Sequence, residues 1–218
     1  MRNLVWSYSF LSTYLRCRQQ AEARYVTKLY PYKESPEMAY GNAVHSAFDK
    51  FIKGVDREFA PDIAAYEKWA KLAKGLPMPV SEHELGVTRD WRTTAFRARD
   101  AWGRCKVDFY SLNTDSAVLM DWKTGKPWED PFELEVQAVC LNAHYPLVKN
   151  FVGMYVWLKE DRIGDQYEIG PQRLKETREK IEDTMKKVES EPWQPMRNAL
   201  CGWCEYEHCR HYKDTRRK

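Results

Sequence analysis

Between Gly103 and Gly125 the chain alternates side-chain character on either side of a short turn-forming stretch, and this segment restricts the fold more than any other. It reads Gly103-Arg-Cys-Lys-Val-Asp108-Phe-Tyr, then Asn113-Thr-Asp-Ser116, then Ala117-Val-Leu-Met-Asp121-Trp-Lys123-Thr-Gly125. A loop at Asn113 to Ser116 sets Leu112 opposite Ala117 in an antiparallel hairpin, and continuing that register brings Asp108 opposite Asp121. Opposed residues carry Cβ atoms roughly 4.5 to 5.5 Å apart on one face. Lys123 shares the face of Asp121, whereas Val107, Phe109, Met120 and Trp122 point to the other face and can be buried. The spacing therefore predicts two carboxylates and a lysine above an apolar underside.

Two facing carboxylates repel unless a cation lies between them, and hard oxygen ligands at this spacing suit Mg2+ or Mn2+. Such an ion lowers the pKa of bound water and offsets charge developing on a phosphoryl group, and a neighbouring ammonium can orient the water. The same residues also suit an exposed hairpin whose acids and lysine form surface ion pairs.

The hairpin sits in a chain of 218 residues, long enough to bury a substantial core. Hydrophobic residues at 43%, charged residues at 31% and a mean hydropathy of −0.72 describe a soluble globular chain with no apolar run of membrane-spanning length. The N-terminal residues lack the order of a secretory signal, so a cytoplasmic, reducing compartment is expected. A net charge of +3 does not by itself indicate a nucleic-acid partner. Local basic clusters do occur, at Arg89, Arg92, Arg97, Arg99, Arg104 and Lys106 and again at Lys213, Arg216, Arg217 and Lys218. Either is also compatible with a solvated face or a frayed tail.

Before the hairpin the pattern is helical: a helix capped by Ser7 or Ser9, one over Glu37 to Lys53 with Val44, Ala47, Phe48 and Phe51 inward, and one over Pro61 to Lys74. Strands are predicted at Glu82 to Thr88, Thr94 to Arg99, Arg104 to Ser111 and Ala117 to Lys123. Asp130-Pro131-Phe132-Glu133 starts a helix running to about Tyr145, with Asp as cap, Pro at the first position and Glu able to close a capping box. Strands at Phe151 to Lys159 and Gln166 to Ile169 and a charged helix from Pro171 to about Ser190 complete the pattern.

Cys201-Gly-Trp-Cys204-Glu-Tyr-Glu-His-Cys209 places three thiols within nine residues, which packing alone rarely requires. In a reducing compartment they point to metal before disulfides. A fourth ligand would come from Cys17, Cys105, Cys140, His208 or His211. Four thiolates, or three with an imidazole, suit Zn2+ as well as an iron-sulfur cluster.

Asp108 followed after a turn by Asp121-Trp122-Lys123-Thr124-Gly125 resembles the G-R-x-D and D-Y-K-T-G motifs of RecB-like nucleases in the PD-(D/E)XK superfamily. The resemblance implies that Asp108 and Asp121 bind the catalytic metal, that Trp122 lends its backbone carbonyl and that Lys123 assists catalysis. Three residues separate Arg104 from Asp108 where the motif has one, and Trp122 replaces a frequent Tyr. Gly41-Asn-Ala-Val-His45 is similar to the upstream G-x-x-x-H segment, which implies a metal role for His45. Glu84 falls where relatives carry a further acid, with Glu82 competing for the role. Gln137 matches the glutamine of the Q-x-x-x-Y helix, whose tyrosine is Leu141 here, and would orient DNA or the site.

The segment through Cys17 resembles the N-terminal helix of the iron-sulfur members, the AddB type and CRISPR-associated exonucleases, although Arg18 stands where Pro is common. That resemblance implies a 4Fe-4S cluster on Cys17, Cys201, Cys204 and Cys209, leaving Cys105 and Cys140 as buried thiols. It implies one α/β domain over 1–218 with a restriction-endonuclease-like core, a mixed central sheet flanked by helices. Its parts would be a helical N-terminal part over 1–79, a nuclease core over 80–190 and a cysteine-rich segment over 191–218. The expected reaction is hydrolysis of DNA phosphodiesters by metal-activated water, as an exonuclease on single-stranded ends, in CRISPR adaptation, phage recombination or repair. Trp91, beside Arg89 and Arg92, is the expected base-stacking residue. The alternative is a non-catalytic DNA-binding or assembly subunit with a structural zinc or iron-sulfur site.

Overall fold

The computed structural model describes residues 4–29 and 34–213, so the basic tail at Arg216, Arg217 and Lys218 lies outside the described residues. Helix α1 spans Tyr8–Arg16, and the Ser7 Oγ caps it by accepting the Phe10 N–H at 3.3 Å. A short α2, Arg18–Ala21, continues as a wider π turn over Glu22–Val26. Helix α3, Pro36–Ile52, begins at Ser35, whose Oγ accepts the Met38 N–H, and has proline in its first turn. The helix expected from Pro61 opens instead with turns and a 3-10 turn at Ala64–Tyr66 before α4, Glu67–Lys74.

Strands β1 Pro79–Val87, β2 Thr93–Thr94, β3 Gly103–Leu112, β4 Ser116–Lys123, β5 Asn150–Trp157 and β6 Arg162–Ile169 form one sheet in the order β2-β1-β3-β4-β5-β6. Only β4 and β5 pair in parallel, joined by helix α5, Pro131–His144, so the sheet is mixed as expected. The hairpin register is the predicted one, Leu112 opposite Ala117 and Phe109 opposite Met120. The strand expected over Thr94 to Arg99 shrinks to the two residues of β2, because the Ala98 N–H turns back to the Ala95 carbonyl. The last helix, α6, spans Pro171–Ser190.

Two compact units divide the described residues: one holds residues 4–29 with 179–213, the other 34–178, and the division falls inside α6. In the larger unit α3 and α4 cover one sheet face, with Val44, Phe48, Phe51, Ala70 and Ala73 packed on Phe109, Met120, Trp122, Met154 and Val156. The Trp122 ring meets Phe48 at 5.0 Å between centroids. Helix α5 covers the opposite face, and at Gly153 a Cβ would lie 3.1 Å from that of Leu134, so the glycine admits the helix there. In the smaller unit Phe10 packs edge-on against Tyr25 and Tyr14 edge-on against Trp193. Among the described residues no helix is long and apolar enough to cross a membrane.

Candidate active site

The site begins with a change of face in two neighbouring strands. Side chains two apart on a strand share a face, yet on β1 the Ser81 Oγ donates to Asp49 of α3 while His83 meets the Tyr110 hydroxyl on the α5 side. Glu82 lies between them with φ +50°, a left-handed conformation that side-chain-bearing residues avoid. On β3, Cys105 lies against Cys140 of α5, Phe109 packs under α3, and the Tyr110 hydroxyl contacts that of Tyr145. Strict alternation cannot place both Cys105 and Tyr110 toward α5, so β3 also changes face at this level. The two irregularities turn Glu82 and Asp108 toward His45 of α3.

His45 stands one turn after Gly41, where a Cβ would lie 3.3 Å from the Thr124 Oγ1, so the glycine lets α3 approach the end of the hairpin. The His45 Nε2 lies 2.9 Å from the Trp122 carbonyl, and its Nδ1 lies 3.2 Å from Glu82 Oε1 and 3.3 Å from Asp108 Oδ1. Both ring nitrogens thus face acceptors, which fits a doubly protonated imidazolium. Burial opposes that charge, but the bonds to Asp108 and Glu82 outweigh it and hold the imidazole up to about 10. Glu82 also pairs with Lys106. Burial alone would raise the Asp108 carboxyl, but His45, Lys123 and the Trp122 N–H bring it below the usual carboxylate range.

Asp108 does not sit squarely opposite Asp121. The paired ladder ends one step short, at Phe109 and Met120, and the Asp108 Oδ2 accepts the Trp122 N–H at 3.0 Å. Asp121 instead turns toward α5, where its Oδ1 lies 2.7 Å from the Lys123 Nζ and its Oδ2 accepts from the Gln137 Nε2 at 3.0 Å. Burial, with Asp108 and Glu133 nearby, raises the Asp121 carboxyl to about 8 against the pull of Lys123. Lys123 is held charged by Asp121 and Glu133 despite its burial. Leu141, at the departing position of the α5 motif, is fully buried.

Several sequence expectations need correction. Glu84 is exposed and pairs across the sheet with Lys106, outside the cluster, and Glu82 takes its place beside His45. Glu133 does not close a capping box: its Oε2 accepts from Lys123 at 3.0 Å and from the Tyr155 hydroxyl at 3.2 Å. Glu133 and Tyr155 were not among the expected site residues. For Glu133 the signal was its four-residue spacing from Gln137, which places both on one face of α5. Trp91 is no free stacking surface, since it packs edge-on against Trp102 and under the Arg178 guanidinium.

His45, Asp108, Asp121, Lys123, Glu133 and Gln137 line one cleft of about 700 Å³ between α3, the end of the hairpin and α5, rimmed by Lys106, Lys126 and Lys159. Ligand atoms of His45, Glu82 and Asp108 all lie within 4.8 Å of one another. With its proton displaced, the His45 imidazole would join the Glu82 and Asp108 carboxylates in a donor set that fits a hard divalent cation; with the proton in place, the imidazolium faces Asp108, Lys106 pairs with Glu82 and Lys123 with Asp121.

In the smaller unit the segment 194–198 lies along residues 16–19: the Gln19 N–H donates to the Gln194 carbonyl and the Asn198 Nδ2 to the Arg16 carbonyl. The Cys17 sulfur accepts the Met196 N–H at 3.5 Å, Cys201 the Asn198 N–H at 3.3 Å and Cys209 the His211 N–H at 3.4 Å. Amide donors of this kind stabilise thiolates. Among the described residues no three of these sulfurs lie within 4.8 Å of one another. Thiolates sharing one zinc at about 2.3 Å would be closer than that, within about 4.6 Å.

A model of the PD-(D/E)XK nuclease superfamily matches residues 5–106, a span that includes His45 and Glu82 and stops before Asp108. No curated protein matches the chain in sequence. Among solved structures, that of SSO0001 is 15% identical with a TM-score of 0.46, over 93% of this chain and 83% of that one. A "Putative exonuclease" from Eubacterium rectale is 13% identical with a TM-score of 0.53, over 94% of this chain and 88% of its own. The chain is thus similar over residues 5–106 to the PD-(D/E)XK nuclease superfamily, and it shares the fold of the second structure.

Proposed function

We propose that this chain is a metal-dependent deoxyribonuclease of RecB-like type, acting as an exonuclease on single-stranded DNA ends, with a structural 4Fe-4S cluster on Cys17, Cys201, Cys204 and Cys209. The observation that carries the nuclease reading is the gathering of His45, Glu82 and Asp108 within 4.8 Å, with His45 and Asp108 lining the cleft that also holds Asp121, Lys123 and Gln137. His45, Glu82 and Asp108 would hold a Mg2+ or Mn2+ ion, with Asp121 and the Trp122 carbonyl adjoining. Such an ion supplies an acidified water and positive charge at the phosphoryl group. Lys123, fixed between Asp121 and Glu133, can donate to a phosphoryl oxygen or orient the attacking water. Gln137 fixes the Asp121 carboxylate, and the buried surroundings strengthen each of these contacts. The superfamily match over residues 5–106 supports the same reading. The amide-to-sulfur bonds at Cys17, Cys201 and Cys209 and the joining of Cys17 to the C-terminal segment are compatible with the cluster.

The test is cleavage of end-labelled single- and double-stranded DNA with Mn2+, Mg2+ or EDTA, using anaerobically purified protein and Asp121→Ala. The expected result is metal-dependent shortening from an end, lost in the variant. Absence of cleavage by folded, iron-loaded wild type would leave a DNA-binding or assembly role instead.

A further inference from the structure

The basic cluster between residues 89 and 106 divides sharply by pairing. Arg92 is matched by Asp90 and Lys106 by Glu82, while Arg89 stacks on Trp102. Arg97, Arg99 and Arg104 have no carboxylate partner among the described residues, and Asp100, which lies between them in sequence, instead accepts from the Thr94 hydroxyl. Arg97 and Arg99 are exposed on a loop tied by turns at Ala98 and Ala101. Arg104 is partly buried beside the Phe96 ring, at 5.7 Å, and its Nε is buried with no hydrogen-bond partner. Among the described residues its two Nη atoms are neither buried nor paired, so the outer edge of the guanidinium is open to an anion.

Its placement follows from the strand. Arg104 is opposite Gly86, where a side chain would strike the Thr94 and Ala95 carbonyls at 2.7 Å, so the glycine lets residues 94–96 close over this face and bring Phe96 to Arg104. With Cys105 turned toward α5, Arg104, Lys106 and Asp108 share the other face of β3. Arg104 is therefore about 14 Å along the strand from Asp108, with Lys106 midway at the cleft rim.

We infer that Arg104, Arg97 and Arg99 form a phosphate-binding row that carries a single DNA strand along β3 toward Asp108. The inference rests on the nuclease reading for the identity of the strand and adds its path. Each arginine contacts a phosphate, and the row positions the strand without reading its sequence.

The test uses the full chain with two substrates, a fluorescent twenty-nucleotide oligo(dT) and bis(p-nitrophenyl) phosphate, a diester too small to reach the row. Binding of the oligonucleotide is measured by anisotropy across a KCl series in EDTA, and hydrolysis of the small diester in Mn2+. Arg97→Ala/Arg99→Ala/Arg104→Gln should reduce the slope of log affinity against log salt by about 2, from three contacts at ~0.7 each. Hydrolysis of the small diester should be unchanged. If Arg104→Gln unfolds the triple variant, Arg97→Ala/Arg99→Ala alone should still reduce the slope by more than about 1. An unchanged slope in a folded variant overturns the row. A wild type that hydrolyses neither DNA nor the small diester overturns the nuclease reading, while the anisotropy still decides whether the row binds DNA.

Discussion

Glu82 holds its carboxylate in the site through a backbone conformation that costs free energy, with φ +50° in mid-strand. Glycine adopts that region freely, whereas other residues lose roughly 1–2 kcal/mol there. Glu82→Gly should therefore be more stable than Glu82→Ala by about 1 kcal/mol in urea denaturation, since the glycine relieves strain that alanine keeps. Wild type should show a Mn2+-induced rise in melting temperature, and both variants should lose it. A rise retained in either variant would remove Glu82 from the metal set. Gln137 offers a complementary test, because it touches Asp121 and not the ligand cluster. Gln137→Ala should lower kcat by about 10- to 100-fold, the usual effect of removing a partner of a metal-site group, with KM little changed. An equal rise in KM alone would mean that Gln137 only helps hold substrate. The candidates were legible in the sequence as residue types and spacing, and Asp121, Lys123, His45 and Gln137 line one cleft. Glu84 was preferred to Glu82 for its place in the family resemblance; strand alternation assigns both to one face, and the positive φ at Glu82 separates them.

At the level of elements, the hairpin was readable because its turn length and alternation fix its register. Its end was not, because β1 and β3 change face together where the ladder stops and side chains take over backbone bonding. The segment 94–99 misled for a different reason: alternating residue types there serve a turn, with the arginines outward. The long connection from β4 into α5 is held by Glu129, which accepts from the Tyr167 hydroxyl at 2.7 Å, the Trp157 Nε1 at 3.0 Å and the Asp165 N–H at 3.3 Å. Burial works against its charge, but the three bonds prevail and hold the carboxyl below its usual range. In acid the unfolded chain then binds this proton first, so the contribution is complete above about pH 4.5 and is lost as pH falls through the lowered value. Melting temperature should thus decline less steeply below about pH 4.5 in Glu129→Gln than in wild type. Parallel acid limbs would show that the bonds do not stabilise the ionised form.

Taken whole, the molecule holds residues 4–29 and 179–213 in one unit and residues 34–178 in the other, so both arms of the chain are needed to build the smaller unit. A cluster spanning Cys17 and the three later cysteines would close nearly the entire chain into a loop. Cys17→Ser should then abolish iron retention and lower the melting temperature by roughly 6–20 °C, corresponding to about 3–5 kcal/mol for a long closed loop. EDTA treatment that strips Mg2+ or Mn2+ should leave that part of the stability intact. Iron-free wild type, or an iron-loaded variant, would end the cluster reading. The pairing of the Cys17 sulfur with the Met196 N–H across 179 residues also has a consequence in time. At ribosomal rates of about 5–20 residues per second, roughly 10 to 35 s separate the emergence of Cys17 from that of its partner segment. Throughout that interval the first thiol waits without its protein partner, so on the cluster reading metal would have to arrive only after Cys209 has been made.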